Sequence, residues 1–105
     1  MEINQTELHT FAVCAYGESP YLEECVQSLL MQKVRTSILI ATSTPNSHIA
    51  GIADKYGIPV YINQGEKGLA GDWNFAYSCA DTPFVTLAHQ DDKYYVNYTK
   101  DVLAA

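Results

Sequence analysis

The chain has 105 residues, 48% of them hydrophobic, which suits one globular domain around a single core and excludes a disordered tail. A formal net charge of −6 argues against a nucleic-acid backbone or an anionic membrane surface as partner, because both need clustered Lys and Arg. An acidic chain still accepts a nucleotide when a metal ion supplies the positive charge.

Met1 to Glu7 are polar and read as a frayed start. They have neither the basic head nor the apolar core of a signal peptide, and no apolar run approaches the ~18–20 residues of a membrane span, so the expected location is cytoplasmic. Thr10 to Ala15 (TFAVCA) is short, partly β-branched and bounded by Gly17, as a buried strand would be. Ser19-Pro20 marks a helix start, with Ser19 as cap and Glu23 and Glu24 near the positive end of the dipole. Leu22, Cys25, Val26, Leu29 and Leu30 then recur at helical spacing. Ser37 to Ala41 (SILIA) is a second apolar strand, ending in the polar turn Thr42-Ser43-Thr44-Pro45-Asn46.

A second helix carries Ile49, Ile52, Ala53 and Tyr56 on one face and stops at Gly57. Ile58 to Ile62 forms a third strand, and Pro59 predicts an edge position or a strand start. A loop with Gly65, Gly68 and Gly71 leads into a third helix with Leu69, Trp73, Ala76, Tyr77 and Ala80 on one side, so Trp73 is expected in the core. Asp81-Thr82-Pro83 breaks that helix before the strand Phe84 to Ala88, and a last helix is expected from Tyr98 to Ala105. The order βαβαβαβ, with strands expected to be buried on both faces, predicts an α/β fold: a mostly parallel sheet with helices on both faces. Residues 1–105 read as a single domain.

Three cysteines, Cys14, Cys25 and Cys79, are an odd number without a close pair. They read as small buried hydrophobes in a reducing compartment, since a zinc site or disulfide framework needs tighter spacing. The loop from Gly65 to Asn74 invites comparison with phosphate loops, yet neither G-x-G-x-x-G nor G-x-x-x-x-G-K-[ST] occurs. That counts against a dinucleotide dehydrogenase and a P-loop NTPase. The loop still opens a helix whose free N–H groups can face an anion, with Lys67 the cation beside it.

The chemistry concentrates at two strand ends, where open α/β sheets bind ligands. His89-Gln90-Asp91-Asp92 follows the fourth strand. Adjacent carboxylates repel unless a cation or donors compensate them, and a hard divalent ion that leaves sites for phosphates does so; the alternative is a turn or helix-cap Asp pair. His89 reads as a polar plug, with metal ligation as its other role. After the first strand, small Ala15 and flexible Gly17 let a ligand approach the backbone. Tyr16 either offers a flat face to a base or packs on the sheet edge.

Phe11 to Glu18, followed by Tyr21 to Gln32, resembles the opening of family 2 glycosyltransferases: a hydrophobic strand, a Tyr-Asn-Glu turn and a helix of the form YLEECLxSLLxQ. The helix from Gly68 to Ala80 with Asn74, the strand Phe84 to Ala88, and Asp91-Asp92 followed by Tyr94 and Tyr98 extend the resemblance over most of residues 10 to 98. It implies the Rossmann-like, nucleotide-sugar-binding half of a glycosyltransferase A domain. By that similarity Ala15, Tyr16 and Glu18 line the nucleotide pocket, Asp91 sits near the ribose, and Asp92 reaches the Mg2+ or Mn2+ that bridges the diphosphate. The implied partner is a nucleotide-sugar, with a UDP-sugar expected.

Three departures from the family pattern stand out. Thr42, Ser43, Thr44 and Pro45 stand where Asp-Asp-Gly-Ser is usual, Trp73 replaces the Arg before Asn74, and His89 replaces the first Asp of the metal motif. The family's second half supplies the acceptor site and the general base, so the chain is expected to be the donor-binding portion of a longer enzyme that moves a sugar to an acceptor hydroxyl. The alternative is a non-catalytic nucleotide-binding or assembly module, whose uncovered sheet edge would permit a homo-oligomer. A flavodoxin-like or response-regulator-like domain fits the element order too, but the acidic cluster expected after its first strand is missing.

Overall fold

In the computed structural model, which describes residues 3–4, 8–65, 69–94 and 98, the elements run β1 (Ile3–Asn4), β2 (His9–Cys14), α1 (Leu22–Leu30), β3 (Val34–Arg35), β4 (Ser37–Thr42), α2 (Ser47–Tyr56), β5 (Val60–Ile62), α3 (Leu69–Cys79) and β6 (Phe84–His89). Four strands form one all-parallel sheet in the order β5-β4-β2-β6. The α/β architecture is as the element order predicts. Ile3 and Asn4 lie within the stretch expected to be frayed, yet they pair in parallel with Val34 and Arg35.

Alternation along the two central strands divides the core. Phe11 and Val13 of β2 and Ile40 of β4 face α1 and α2, meeting Leu22, Cys25, Val26 and Leu29 from the first helix and Ile49, Ile52 and Ala53 from the second. Ala12, Cys14, Leu39 and Ala41 face the other way and pack on Ala76 of α3. Small side chains on both sides of that second interface let the helix lie close to the sheet. Only the central strands are buried on both faces. β5 and β6 flank the sheet, and Tyr61, Ile62, Phe84 and Leu87 stay exposed, so the expectation of strands buried throughout holds for the middle pair alone.

Local chemistry explains the helix ends. Asn46 caps α2 by accepting the Ile49 N–H on Oδ1 at 2.9 Å, and Gly57 ends that helix at φ 66°, a left-handed conformation that glycine adopts without Cβ strain. Helix α1 runs from Leu22, and just ahead of it Ser19 Oγ accepts the Tyr21 N–H at 3.2 Å, the kind of bond a capping serine makes. Pro59 precedes edge strand β5 and uses its carbonyl to accept the Ile40 N–H at 3.0 Å. The helix expected from Tyr98 onward lies outside the described residues, apart from Tyr98 itself.

The direction of travel changes at β2. The chain steps outward to β4 and β5, then α3 returns over the opposite face to deliver β6 on the far side of β2. The carboxyl ends of β2 and β6 therefore flank a topological switch point, where ligands settle in open α/β sheets.

Candidate functional site

The six-residue β2–β6 register sets Cys14 beside His89, so the segments leaving both strands run side by side. Gln90 joins them. Its Oε1 accepts the Tyr16 N–H at 3.1 Å and its Nε2 donates to the Tyr16 carbonyl at 3.1 Å, from a side chain only 2% exposed. Buried amides keep such reciprocal bonds because an unpaired partner would have no water to replace it. On the β4 side, the Ala15 N–H donates to the Ala41 carbonyl at 3.0 Å.

The acidic turn is fastened to α1. Ser19 Oγ donates to Asp91 Oδ1 at 2.6 Å and accepts the Tyr21 N–H at 3.2 Å. His48 holds Ser19 in turn, through Nε2 to its carbonyl at 2.7 Å. The His89 carbonyl accepts the Asp92 N–H at 3.1 Å and the Cys25 thiol at 3.5 Å, while Ser28 Oγ accepts the Tyr94 N–H at 3.0 Å. Asp91 and Asp92 thus project from a turn held at both ends.

His89 Nδ1 lies 3.9 Å from Asp91 Oδ2, but the same nitrogen accepts the Asp91 N–H at 3.2 Å. A nitrogen that accepts carries no hydrogen, so this bond assigns the ring hydrogen to Nε2.

Two adjoining clefts open at these strand ends. One, of about 260 Å³, is lined by Cys14, Ala15, Tyr16, Ala41, Asp72, Trp73 and His89. The other, of about 360 Å³, is lined by Trp73, Leu87, Ala88, His89, Asp92 and Tyr94. Trp73 and His89 wall both. Trp73 is 42% exposed, against the expectation of a core residue, because the early turns of α3 lie at the carboxyl ends of the strands, where the indole borders the clefts. Tyr77, expected on the packed side of the same helix, is also exposed.

The structure therefore brings Ala15 and Tyr16 into the first cleft and Asp92 into the second. Tyr16 is 52% exposed, with its ring steeply inclined to that of His89 at a centroid distance of 6.4 Å. Asp91 stands beside Asp92 but is tied to Ser19, and Glu18 is exposed and lines neither cleft. Lys67 and Gly68 lie outside the described residues. Gln90, Ser19 and Asp72 were not singled out as site residues by the sequence. Gln90 carried the one available signal, a polar residue directly after an apolar strand.

Asp72 is oriented by the Asn63 amide, which donates to its Oδ1 at 3.0 Å, and by the Ser43 hydroxyl, 3.4 Å from its Oδ2. As an acid in the first turn of α3 it occupies, with the chain's own charge, the end where a free anion would otherwise be favoured. The buried thiols Cys14 and Cys25 are not nucleophiles. Burial, reinforced by Asp72, pushes Cys14 up to about 11. Burial and the charges of Asp92 and Asp91 push Cys25 up to about 12, so both remain protonated at neutral pH.

The residues fit a divalent cation shared with a ligand. Among the described residues neither cleft lining contains Lys or Arg, so a diphosphate beside Asp92 would need a cation to offset the repulsion. Among the described residues no cluster of three or more His, Cys, Asp and Glu side chains could hold an ion alone. One or two carboxylates completed by substrate phosphates is an ordinary Mg2+ arrangement.

A parallel α/β sheet with paired clefts at its switch point is a ligand-binding architecture. Residues 10–105 match the family described as Glycosyl transferase family 2, and the chain belongs to that family. No curated protein gives a significant match. Among solved structures, the crystal structure of Staphylococcus aureus TarS 1-349 superposes with a TM-score of 0.79 at 21% identity, covering 92% of this chain and 31% of that one. The S. aureus TarS crystal structure gives the same TM-score of 0.79 and 21% identity, covering 92% of this chain and 19% of its own length. The chain thus spans less than a third of these structures, and at that identity the likeness establishes the shared fold. Among the described residues, no helix is long and apolar enough to cross a membrane.

Proposed function

We propose that this chain is the donor-binding portion of a glycosyltransferase that moves a sugar from a nucleotide-sugar to an acceptor hydroxyl. The observation that carries the reading is the convergence, in a family 2 chain, of the Tyr16 segment and the acidic turn on one switch-point cleft pair, locked together by Gln90. In this reading the buried Ala15 lets the ligand approach the backbone, Tyr16 presents its ring to the base, and Asp91 stands near the ribose. Glu18 is a rim residue. Asp92 would hold Mg2+ or Mn2+ beside the diphosphate. When bound, that ion supplies positive charge to the departing nucleoside diphosphate. His89 Nε2–H offers a donor between the two clefts. Asp92→Ala should abolish Mn2+-dependent UDP binding in a calorimetric titration, and unchanged affinity would refute the metal assignment.

A second reading, a non-catalytic nucleotide-binding or assembly module, draws support from the apolar side chains on the flanking strands. Phe84 is 56% exposed and Leu87 36%, both on β6. Such an edge favours pairing with another copy. Light scattering separates the readings: a concentration-dependent dimer that ignores nucleotides favours the module, and a monomer that binds them favours the enzyme.

A further inference from the structure

We propose that Asp72 reads the base of the bound nucleotide, accepting the N3–H of a uracil ring on its Oδ2. This rests on the nucleotide reading of the cleft. Among the described residues lining the first cleft Asp72 is the one carboxylate, beside Cys14, Ala15, Tyr16, Ala41, Trp73 and His89. An acidic acceptor in a largely apolar slot selects a ligand that brings a donor to it.

The carboxylate is set in place beforehand. The Asn63 side-chain oxygen accepts the Gly65 N–H at 3.0 Å, which fixes its amide so that Nδ2 points to Asp72 Oδ1 at 3.0 Å. Asn63 is itself buried and anchored, its backbone N–H donating to the Thr42 carbonyl at 2.8 Å. Oδ2 has only the long 3.4 Å contact with Ser43, which leaves it the freer acceptor of the pair.

One freer oxygen matches one donor. Uracil carries a single ring N–H between two carbonyls. Cytosine presents a lone pair at the same ring position, which would face the carboxylate and be repelled. Guanine offers two adjacent donors, best met by both oxygens of a carboxylate, and here the first is engaged by Asn63. The geometry therefore favours uracil over both.

The test is a set of titrations with Mn2+ present, using UDP, N3-methyl-UDP, CDP and GDP against the unaltered chain, then UDP and CDP against Asp72→Asn. Loss of one charge-assisted hydrogen bond should weaken N3-methyl-UDP and CDP by roughly 10- to 100-fold relative to UDP. Asp72→Asn can donate to the cytosine ring nitrogen, so its preference for UDP over CDP should fall by about 10-fold or reverse. In Asp72→Ala the penalty for N3-methylation should shrink, which separates the lost hydrogen bond from a steric clash. Equal binding of UDP and N3-methyl-UDP by the unaltered chain, or tighter binding of GDP, would overturn the assignment while leaving the donor-site reading intact. No binding of any nucleotide would overturn both. Because the ligand series uses the unaltered protein, the outcome does not depend on the variants folding.

Discussion

Replacing Gln90 with Ala removes the two reciprocal bonds that tie the Tyr16 backbone to the end of β6. The Tyr16 N–H and carbonyl lose their side-chain partner, and a space opens where a side chain only 2% exposed had been. Each buried hydrogen bond contributes about 1 kcal/mol net, and leaving its partner unpaired costs about 1–3 kcal/mol. Tyr16 is half exposed, so water repairs part of the loss, and about 2–3 kcal/mol for the substitution is a fair magnitude. For a domain of this size that corresponds to a melting temperature lower by roughly 10–20 °C. Urea denaturation followed by far-ultraviolet circular dichroism gives the free energy directly. Nucleotide affinity measured well below the melting temperature should fall as well, because the backbone at Ala15 and Tyr16 is no longer fixed. Gln90→Glu supplies a sharper contrast: it can still accept the Tyr16 N–H, but its second oxygen then faces the Tyr16 carbonyl unless protonated. That variant should gain stability on acidification relative to the unaltered chain. A Gln90→Ala loss below about 0.5 kcal/mol, the range of ordinary surface substitutions, would refute the claim that this pair organises the site.

Two further outcomes follow from buried titratable groups. His9 is buried, bonded through Nε2 to Thr86 Oγ1 at 2.7 Å, with Nδ1 lacking a partner among the described residues, and burial holds it below its usual 6.5. Below that value the unfolded chain takes up a proton that the native state resists, so its contribution is full above pH 6.5 and is lost as pH falls toward the lowered native value. The urea midpoint should therefore drop more between pH 7.5 and 5.5 for the unaltered chain than for His9→Gln; identical pH slopes would contradict it. For the thiols, iodoacetamide at pH 8 should label the half-buried Cys79 first, and Cys14 and Cys25 only on unfolding, as read by peptide mass spectrometry. Early labelling of Cys25 would show that α1 does not seal it as described.

Features set by neighbours in sequence were legible before the structure. The apolar runs of β2 and β4 read as buried parallel strands, Pro59 as an edge position or a strand start, and Gly57 as the stop of α2 for local steric reasons, whereas Asn46 read only as part of a polar turn and is the cap of α2. Ala15, Tyr16, Asp91 and Asp92 were visible as candidates because strand ends are where such sheets bind ligands. Helix α3 was misread in detail. It carries apolar residues on several sides, among them Trp73, Phe75, Ala76 and Tyr77, so periodicity did not select its packed face. The sheet surface made the choice instead: Ala12, Cys14 and Ala41 leave room for close approach, and Ala76 fills it while Trp73 borders the clefts. The supports of the site were hidden for another reason. Gln90 and Tyr16 lie 74 positions apart, and Ser19 and Asp91 lie 72 apart, so their bonds exist only once β6 has paired with β2. Ser19 read as a helix cap because Ser before Pro is a sound local signal, and its hydroxyl also donates across the switch point to Asp91.

The central claim is that the paired clefts hold a nucleoside diphosphate through a divalent cation at Asp92. Calorimetric titration of UDP into the unaltered chain, with and without Mn2+, tests it most directly. Binding should require the metal. A folded chain that binds UDP equally well without Mn2+, or binds no nucleotide in its presence, would contradict it.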